Sequence, residues 1–169
     1  MKIAGLQKTT LLDYPGKVAA TVFLSGCNLK CPYCHNSELI NSKKNIVKER
    51  ELFSYLKKRQ GVLDGVCITG GEPTLQKGII GFIATIKEMG YLVKLDTNGF
   101  DPHTLSILLD HKLLDYCAID IIILHACWFG KISNYIGSIV FMDIDVYIYY
   151  RNNQKRKRTN KNSYRQNNN

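Results

Sequence analysis

The sequence predicts an α/β fold built around a parallel sheet. Short apolar runs, typical of strands that are buried on both faces, alternate up to Ile121 with stretches that carry apolar residues at helical spacing. The alternation recurs in steps of roughly 25–45 residues, which indicates βα units. Because such a sheet places its chemistry at the carboxyl ends of its strands, functional residues are expected directly after each apolar run.

The first half of this pattern starts with the apolar, β-branched run Ala19–Leu24, which predicts a strand followed by a cysteine-rich loop. Lys48–Arg59 predicts a helix, since its apolar residues lie at helical spacing among charges. Gly65–Thr69 predicts a second strand, and Gly70-Gly71 ends it.

The second half repeats the alternation. Gly78–Met89 predicts a helix that stops at a glycine, and Tyr91–Leu95 predicts a third strand followed by Asp96-Thr97-Asn98-Gly99. Thr104–His111 predicts a short helix, and Tyr116–Ile121 predicts a fourth strand that ends near an aspartate.

These elements divide the chain into three segments. Residues 1–121 form the core of four βα units, and 122–150 form a degenerate segment in which Ile139–Tyr150 predicts one more strand. Residues 151–169 form a basic tail that is expected to be disordered. The tail carries +7 of the formal net charge of +9, so the remaining body is close to neutral and nucleic-acid binding is not expected.

Size and composition indicate a globular protein of the cytoplasm. The chain has 169 residues, of which 45% are hydrophobic, so it can build a core of its own. It contains neither an apolar run of ~18 residues nor a secretory signal, so no membrane segment is expected. The six cysteines therefore indicate metal or redox chemistry, because the cytosol keeps thiols reduced.

Half of the cysteines lie in one loop, as Cys27, Cys31 and Cys34. Three thiolates can hold three irons of a cubane cluster and leave the fourth iron open, which is typical of a reaction site rather than of an electron-transfer cluster. Cys67, Cys117 and Cys127 are expected to be small buried hydrophobes instead.

Four other interpretations of the loop stay open. A zinc site would need a fourth ligand, and His35 is poorly placed to be that ligand because it directly follows Cys34. The pattern from Cys31 to His35 also fits c-type haem attachment, but such attachment normally accompanies export. A redox dithiol would use Cys31 and Cys34 and leave Cys27 idle. Plain core packing explains three cysteines in a polar loop poorly.

Three stretches carry a resemblance to a known family. The stretches are Gly5–Gly16 (GLQKTTLLDYPG), Phe23–Asn28 (FLSGCN) and Cys31–Asn36 (CPYCHN). They resemble the activating proteins of anaerobic ribonucleoside-triphosphate reductases, which are relatives of the pyruvate formate-lyase activating enzyme and members of the radical S-adenosylmethionine (SAM) superfamily. The resemblance implies a partial (βα) barrel of the radical SAM type.

The resemblance also implies cofactors and their ligands. Cys27, Cys31 and Cys34 would bind a [4Fe–4S] cluster, and SAM would chelate its open iron. Tyr33, Cys34 and His35 would lie near the adenine of SAM. The motif formed by Gly70, Gly71, Glu72 and Pro73 would bind the methionyl amino group, although Gly-Gly alone is also ordinary turn chemistry.

A monovalent cation beside the SAM carboxylate is a further implication. Asp96, Thr97, Asn98 and Asp120 resemble the positions that gather this cation in the pyruvate formate-lyase activating enzyme. For Asp96 and Asn98 an alternative stays open, since both side chains commonly accept hydrogen bonds from nearby backbone amides in turns.

The implied activity is the reductive cleavage of SAM to form a glycyl radical on an anaerobic ribonucleotide reductase, with flavodoxin or ferredoxin as electron donor. The alternatives are a radical SAM enzyme that acts on a small molecule and an inactive, cluster-binding remnant. After Asp120 the chain departs from the family, because Ile122 stands where a lysine is usual and the later βα units are missing or altered. We hypothesise a frameshift or truncation there.

Overall fold

The computed structural model describes residues 1–43, 45–123 and 140–146 of the chain. Its strands form one open sheet whose spatial order is the same as their order in the sequence. The strands are β1 (Ile3–Thr10), β2 (Ala19–Leu24), β3 (Gly65–Gly70), β4 (Leu92–Thr97), β5 (Tyr116–Ile123) and β6 (Val140–Val146).

Three α-helices connect the central strands: α1 (Glu49–Lys58), α2 (Ile79–Glu88) and α3 (Pro102–Asp110). Each lies within two residues of a helix that the sequence predicts. In α2 the buried residues follow helical spacing, so one stripe of the helix faces the sheet. They are Ile79, Phe82, Ile83 and Ile86.

The predicted parallel sheet is confirmed for the centre of the molecule. β2, β3, β4 and β5 run parallel to one another, whereas β1 is antiparallel to β2 and β6 is antiparallel to β5. The sequence does not predict β1, because its polar, exposed residues interrupt any continuous apolar run.

The two faces of the sheet differ in chemistry. One face packs against the helices in the main core, with Val22, Ile68, Val93 and Cys117 among its buried residues. The residues next to these in each strand point to the opposite face. There the register places Thr21 beside Cys67, Cys67 beside Lys94 and Lys94 beside Tyr116. This second face therefore carries polar side chains toward the carboxyl ends of the strands and a small apolar cluster, formed by Tyr14, Ala19 and Tyr116, toward their amino ends.

Three strands end later than predicted, and each difference affects a candidate site residue. β3 ends at Gly70 rather than at Thr69. β4 continues to Thr97, so Asp96 and Thr97 belong to the strand and not to the loop after it. β5 continues to Ile123, so Asp120 lies inside a strand rather than at its end. For β4, pairing of Asp96 and Thr97 with β5 extends the strand beyond its apolar run. For β5, the apolar residues Ile121–Ile123 continue the strand and pair with β6.

The prediction that Cys67 and Cys117 are buried is confirmed, since their exposed fractions are 0% and 2%. β6 lies within the stretch Ile139–Tyr150 for which the sequence predicts a further strand. The predictions for Cys127 and for the tail 151–169 lie outside the described residues. No helix in the described ranges is both long and apolar enough to cross a membrane.

Candidate cofactor site at the carboxyl ends of the strands

The cysteine loop begins directly after β2 and is closed at its base by backbone hydrogen bonds. The amide of Gly26 donates to the carbonyl of Leu39 (2.8 Å), and the amide of Cys27 donates to the carbonyl of Ile40 (3.1 Å). Gly26 has a φ of 92°, a conformation that L side chains rarely adopt. The residues between these contacts therefore form a compact loop at the carboxyl edge of the sheet.

The three thiols of this loop are partly exposed. The Sγ atom of Cys27 accepts a hydrogen bond from the amide of Leu29 (3.4 Å), and the amide of Cys34 donates to the carbonyl of Cys31 (3.1 Å). Amide-to-sulfur hydrogen bonds, such as the one from Leu29 to Cys27, help to set the reduction potential of iron–sulfur clusters.

The three thiols of the loop influence one another electrostatically. The pKa of the Cys31 thiol is raised, first by burial and then by repulsion from Cys27 and Cys34. The pKa of the Cys27 thiol is raised mainly by burial, with smaller contributions that include the charges of Glu72 and Cys34. Nowhere in the described part of the chain do three His, Cys, Asp or Glu side chains converge closely enough to hold a metal ion. By chemistry alone the donor set fits an iron–sulfur cluster, because the loop supplies three free cysteine thiols.

The glycine pair after β3 packs directly against the cysteine loop. A Cβ atom on Gly71 would lie 2.0 Å from the carbonyl oxygen of Gly26, so no side chain fits there. The amide of Gly71 donates to the carbonyl of Leu24, and the amide of Glu72 donates to the carbonyl of Gly26, both at 2.8 Å. The glycines therefore serve more than a simple turn, because they allow two loops to touch through their backbones.

The carboxylate of Glu72 connects this loop to the end of β4. The side chain is only 1% exposed. Its Oε1 atom accepts from the Thr74 amide (3.1 Å), the Thr74 hydroxyl (2.5 Å) and the Thr97 hydroxyl (2.7 Å), and its Oε2 atom accepts from the Asn98 amide (2.8 Å). A buried carboxylate with four donors is well satisfied, so Glu72 fixes the relative positions of the two strand ends.

Asn98 extends the connection back to the cysteines. Its Nδ2 atom donates to the Oδ1 atom of Asn28 (2.9 Å) and lies 3.9 Å from the Sγ atom of Cys27. Its Oδ1 atom accepts from the amide of Phe100 (3.0 Å), which is the turn contact left open for this residue. The loops after β2, β3 and β4 are thus joined through Glu72 and Asn98.

Asp96 differs from Asn98, because its carboxylate contacts side chains on the polar face of the sheet. Oδ1 lies 2.5 Å from the Nζ atom of Lys94, and Oδ2 accepts from the thiol of Cys67 (3.4 Å). Burial works to lower the pKa of Lys94, but Asp96, Cys67 and Tyr116 outweigh it and the net pKa is raised.

A cavity of about 320 Å³ opens beside this ion pair. It is bounded by β2, β3, β4, the loop before β2 and the cysteine loop. Its lining residues are Leu12, Asp13, Pro15, Thr21, Phe23, Asn36, Thr69, Lys94 and Asp96.

The other candidate residues take different positions. Tyr33 is 72% exposed and His35 is exposed, whereas Pro73, in the loop after β3, is buried. Asp120 is exposed on β5 but contributes to the raised pKa of Cys31, so its charge acts on the cysteine loop.

The sequence analysis missed Lys94, Asp13 and Thr21. The Thr21 hydroxyl donates a hydrogen bond to Asp13, and both residues line the cavity. For Lys94 and Thr21 the missed signal was a polar residue at alternate positions of an apolar run, which marks a polar sheet face.

The comparisons with known proteins agree with this geometry. The family model described as the Radical SAM superfamily matches residues 21–125, more than half of the chain. The chain therefore belongs to the radical SAM superfamily, whose enzymes use a [4Fe–4S] cluster and SAM.

The chain is similar to curated members of this superfamily. It is 40% identical to a protein of Methanocaldococcus jannaschii assigned to the glycyl-radical enzyme activating enzymes, over 79% of this chain and 54% of that protein. It is 33% identical to the pyruvate formate-lyase-activating enzyme of Clostridium pasteurianum, over 68% of this chain and 53% of that enzyme. The chain thus spans about half the length of these relatives.

Further matches are to proteins with other names. The 7-carboxy-7-deazaguanine synthase of Aquifex aeolicus is 33% identical over 50% of this chain and 37% of that enzyme. Among solved structures, QueE from Escherichia coli matches with a TM-score of 0.46 and 18% identity, over 57% of this chain and 51% of that chain.

Proposed function

We propose that this chain carries the cofactor-binding core of a glycyl-radical enzyme activating enzyme. The observation that supports the proposal best is the connection of three loops around the cysteines. The backbone of Gly71 and Glu72 touches Gly26, and the Glu72 carboxylate binds Asn98, whose amide group contacts the cysteine loop. All the candidate residues precede Ile122, so we assign this chemistry to residues 1–121.

In this proposal each loop has a separate task. Cys27, Cys31 and Cys34 hold the cluster, while the loop from Gly70 to Pro73 presents backbone atoms to the methionyl end of SAM and Tyr33 and His35 lie toward its adenine. When bound, the cluster and SAM supply the reductive cleavage that yields a 5′-deoxyadenosyl radical. The chain positions them relative to each other.

The proposed partner is a glycyl-radical protein, specifically an anaerobic ribonucleoside-triphosphate reductase, with flavodoxin or ferredoxin as electron donor. The names of the two activating-enzyme relatives support the class of partner. The family motifs in Gly5–Gly16 and Cys31–Asn36 support the choice of reductase. The proposed setting is the cytoplasm, where partly exposed thiols stay reduced and available to iron.

Anaerobic reconstitution with iron and sulfide tests the proposal. We expect the wild-type protein to gain broad visible absorbance and, with dithionite and SAM, to release 5′-deoxyadenosine. Cys31→Ala should lose both signals, because its loop then retains only two thiols. Cys117→Ala is the matched control, since Cys117 is buried in the core and should leave both signals unchanged. Absorbance that persists in Cys31→Ala would contradict the ligand assignment.

A second candidate function is a radical SAM reaction on a small molecule. The similarity to 7-carboxy-7-deazaguanine synthases and the cavity of about 320 Å³ favour it. Electron paramagnetic resonance separates the two functions, because an activating enzyme leaves a glycyl radical on the reductase polypeptide. If the chain forms 5′-deoxyadenosine but never this radical, the small-molecule function is favoured. A loaded cluster without any SAM cleavage would instead indicate an inactive remnant.

A further inference from the structure

Lys94 is a lysine in the interior of the sheet, and its surroundings are unusual. The residue lies in β4 on the polar face and is only 8% exposed, yet it lines the cavity beside the candidate SAM site. Lysine is rarely buried to this extent unless a partner compensates its charge. The question is therefore which group compensates the charge of Lys94 in the wall of this cavity.

The ammonium group of Lys94 pairs with Asp96, one of the residues that the family resemblance implies for the cation. Its Nζ atom lies 2.5 Å from Oδ1 of Asp96, 4.0 Å from the Sγ atom of Cys67 and 5.6 Å from the centre of the Tyr116 ring. The second carboxylate oxygen accepts from the Cys67 thiol. Both oxygens of Asp96 thus have partners, and the charge of its carboxylate is balanced by the ammonium.

The rest of the cavity offers little to attract another cation to Asp96. Among the residues that line it, Lys94 is the one cation, and Asp13 is the one acid besides Asp96. The carboxylate of Asp13 already accepts a hydrogen bond from Thr21. A second positive charge at Asp96 would be repelled at close range by the ammonium group of Lys94.

We propose that the Lys94 ammonium group replaces the monovalent cation that the family resemblance implies at Asp96, so that SAM binding by this chain needs no added metal cation. The inference rests on the proposed function, because it places the carboxylate of SAM near Lys94. Lys94 is then a binding residue for the anionic end of the cofactor, and Asp96 is a positioning residue that acts through it.

Equilibrium dialysis of radiolabelled SAM against the reconstituted full chain tests this. We expect wild-type affinity to stay within about twofold when choline replaces K⁺ or Na⁺ at equal ionic strength. Lys94→Met should bind SAM roughly tenfold more weakly in choline, the effect of one charge-assisted contact, and K⁺ should restore much of the loss. Lys57→Met is the control, since Lys57 is an exposed residue of α1 and should leave SAM binding unchanged.

A second measurement does not depend on SAM. We expect the ²³Na resonance to show no saturable broadening by the wild-type protein and clear broadening by Lys94→Met, in which Asp96 is released. If Lys94→Met does not fold by circular dichroism, Lys94→Arg replaces it in the dialysis and should retain cation independence.

The two proposals fail differently. Wild-type SAM binding that collapses in choline, or saturable ²³Na broadening by the wild-type protein, overturns the role of Lys94. Wild-type protein that holds a cluster but binds no SAM in any buffer overturns the proposed function, and the sodium measurement then still decides whether Lys94 excludes a cation from Asp96.

Discussion

Substitution of Glu72 by glutamine tests whether one carboxylate connects the loops of the site. In the native protein both oxygens act as acceptors and receive four hydrogen bonds, three at Oε1 and one at Oε2. Glutamine keeps the shape but turns one oxygen into a donor. The least costly orientation places the new NH2 group opposite the amide of Asn98, where two donors face each other.

The expected cost follows from these contacts. Loss of the bond to Asn98 leaves a part-buried amide unsatisfied, which costs about 1–3 kcal/mol. The three remaining bonds lose their charge assistance, but glutamine avoids the cost of burying a charge, so these changes partly offset each other. We therefore expect Glu72→Gln to lower the free energy of unfolding by roughly 2–4 kcal/mol.

Urea denaturation of the cluster-free protein, followed by far-UV circular dichroism, measures this change. With a slope of about 2 kcal/mol per molar urea, the midpoint should fall by about 1–2 M. Glu88→Gln is the matched control, because Glu88 is exposed at the end of α2 and should shift stability by less than about 0.5 kcal/mol. Equal midpoints for the two variants would refute the argument that Glu72 connects β3 and β4.

Three further predictions follow from the same structure. Gly71→Ala should abolish cluster loading and lower stability, because the new Cβ atom collides with the carbonyl oxygen of Gly26. Gly81→Ala, on the open surface of α2, should instead raise stability by about 0.5–1 kcal/mol. Reconstitution and urea titration of both variants measure these effects. In the cluster-free protein, iodoacetamide should label the three loop cysteines but spare Cys67 and Cys117 until urea is added. The reason is that burial raises the pKa of the Cys117 thiol to about 12 and raises that of Cys67 further. Peptide mass spectrometry measures the labelling, and equal reaction of all these cysteines in the folded protein would contradict the prediction. The pKa of Asp101, the N-cap of α3, is lowered chiefly by the hydrogen bond from the Thr104 hydroxyl. The stabilisation that the Asp101 carboxylate provides is therefore complete above the ordinary pKa of 3.8 and is lost as the pH falls through the lower folded-state pKa. In acid titrations Asp101→Asn should lose less stability than the wild-type protein over that range, and parallel curves would refute the assignment.

The central strands could be predicted from sequence because burial on both faces leaves a continuous apolar run. Ala19–Leu24 was predicted with its observed bounds, and this strand is almost entirely buried. β1 could not be found in the same way, because it pairs with one neighbour and exposes Gln7, Lys8 and Thr9 to solvent. For such an edge strand, pairing decides the structure and apolar content does not.

The cysteines of the site could be predicted because their spacing within one loop is itself the signal. The four bonds of Glu72 could not, since two of them depend on residues 25 and 26 positions further along the chain. Such contacts require the register between β3 and β4, which no local pattern specifies.

Lys94 shows how one error in a strand boundary hides a functional arrangement. With a strand that ends at Leu95, Asp96 belongs to a loop and has no fixed relation to Lys94. With β4 extending to Thr97, the two residues are two positions apart in one strand, and their side chains must point to the same face. Lys94 and Asp96, at that spacing in a mainly apolar strand, then predict an ion pair on the polar face of the sheet. The role that we propose for Lys94 depends on those two additional strand residues, since they bring its ammonium group to the carboxylate before any ligand arrives.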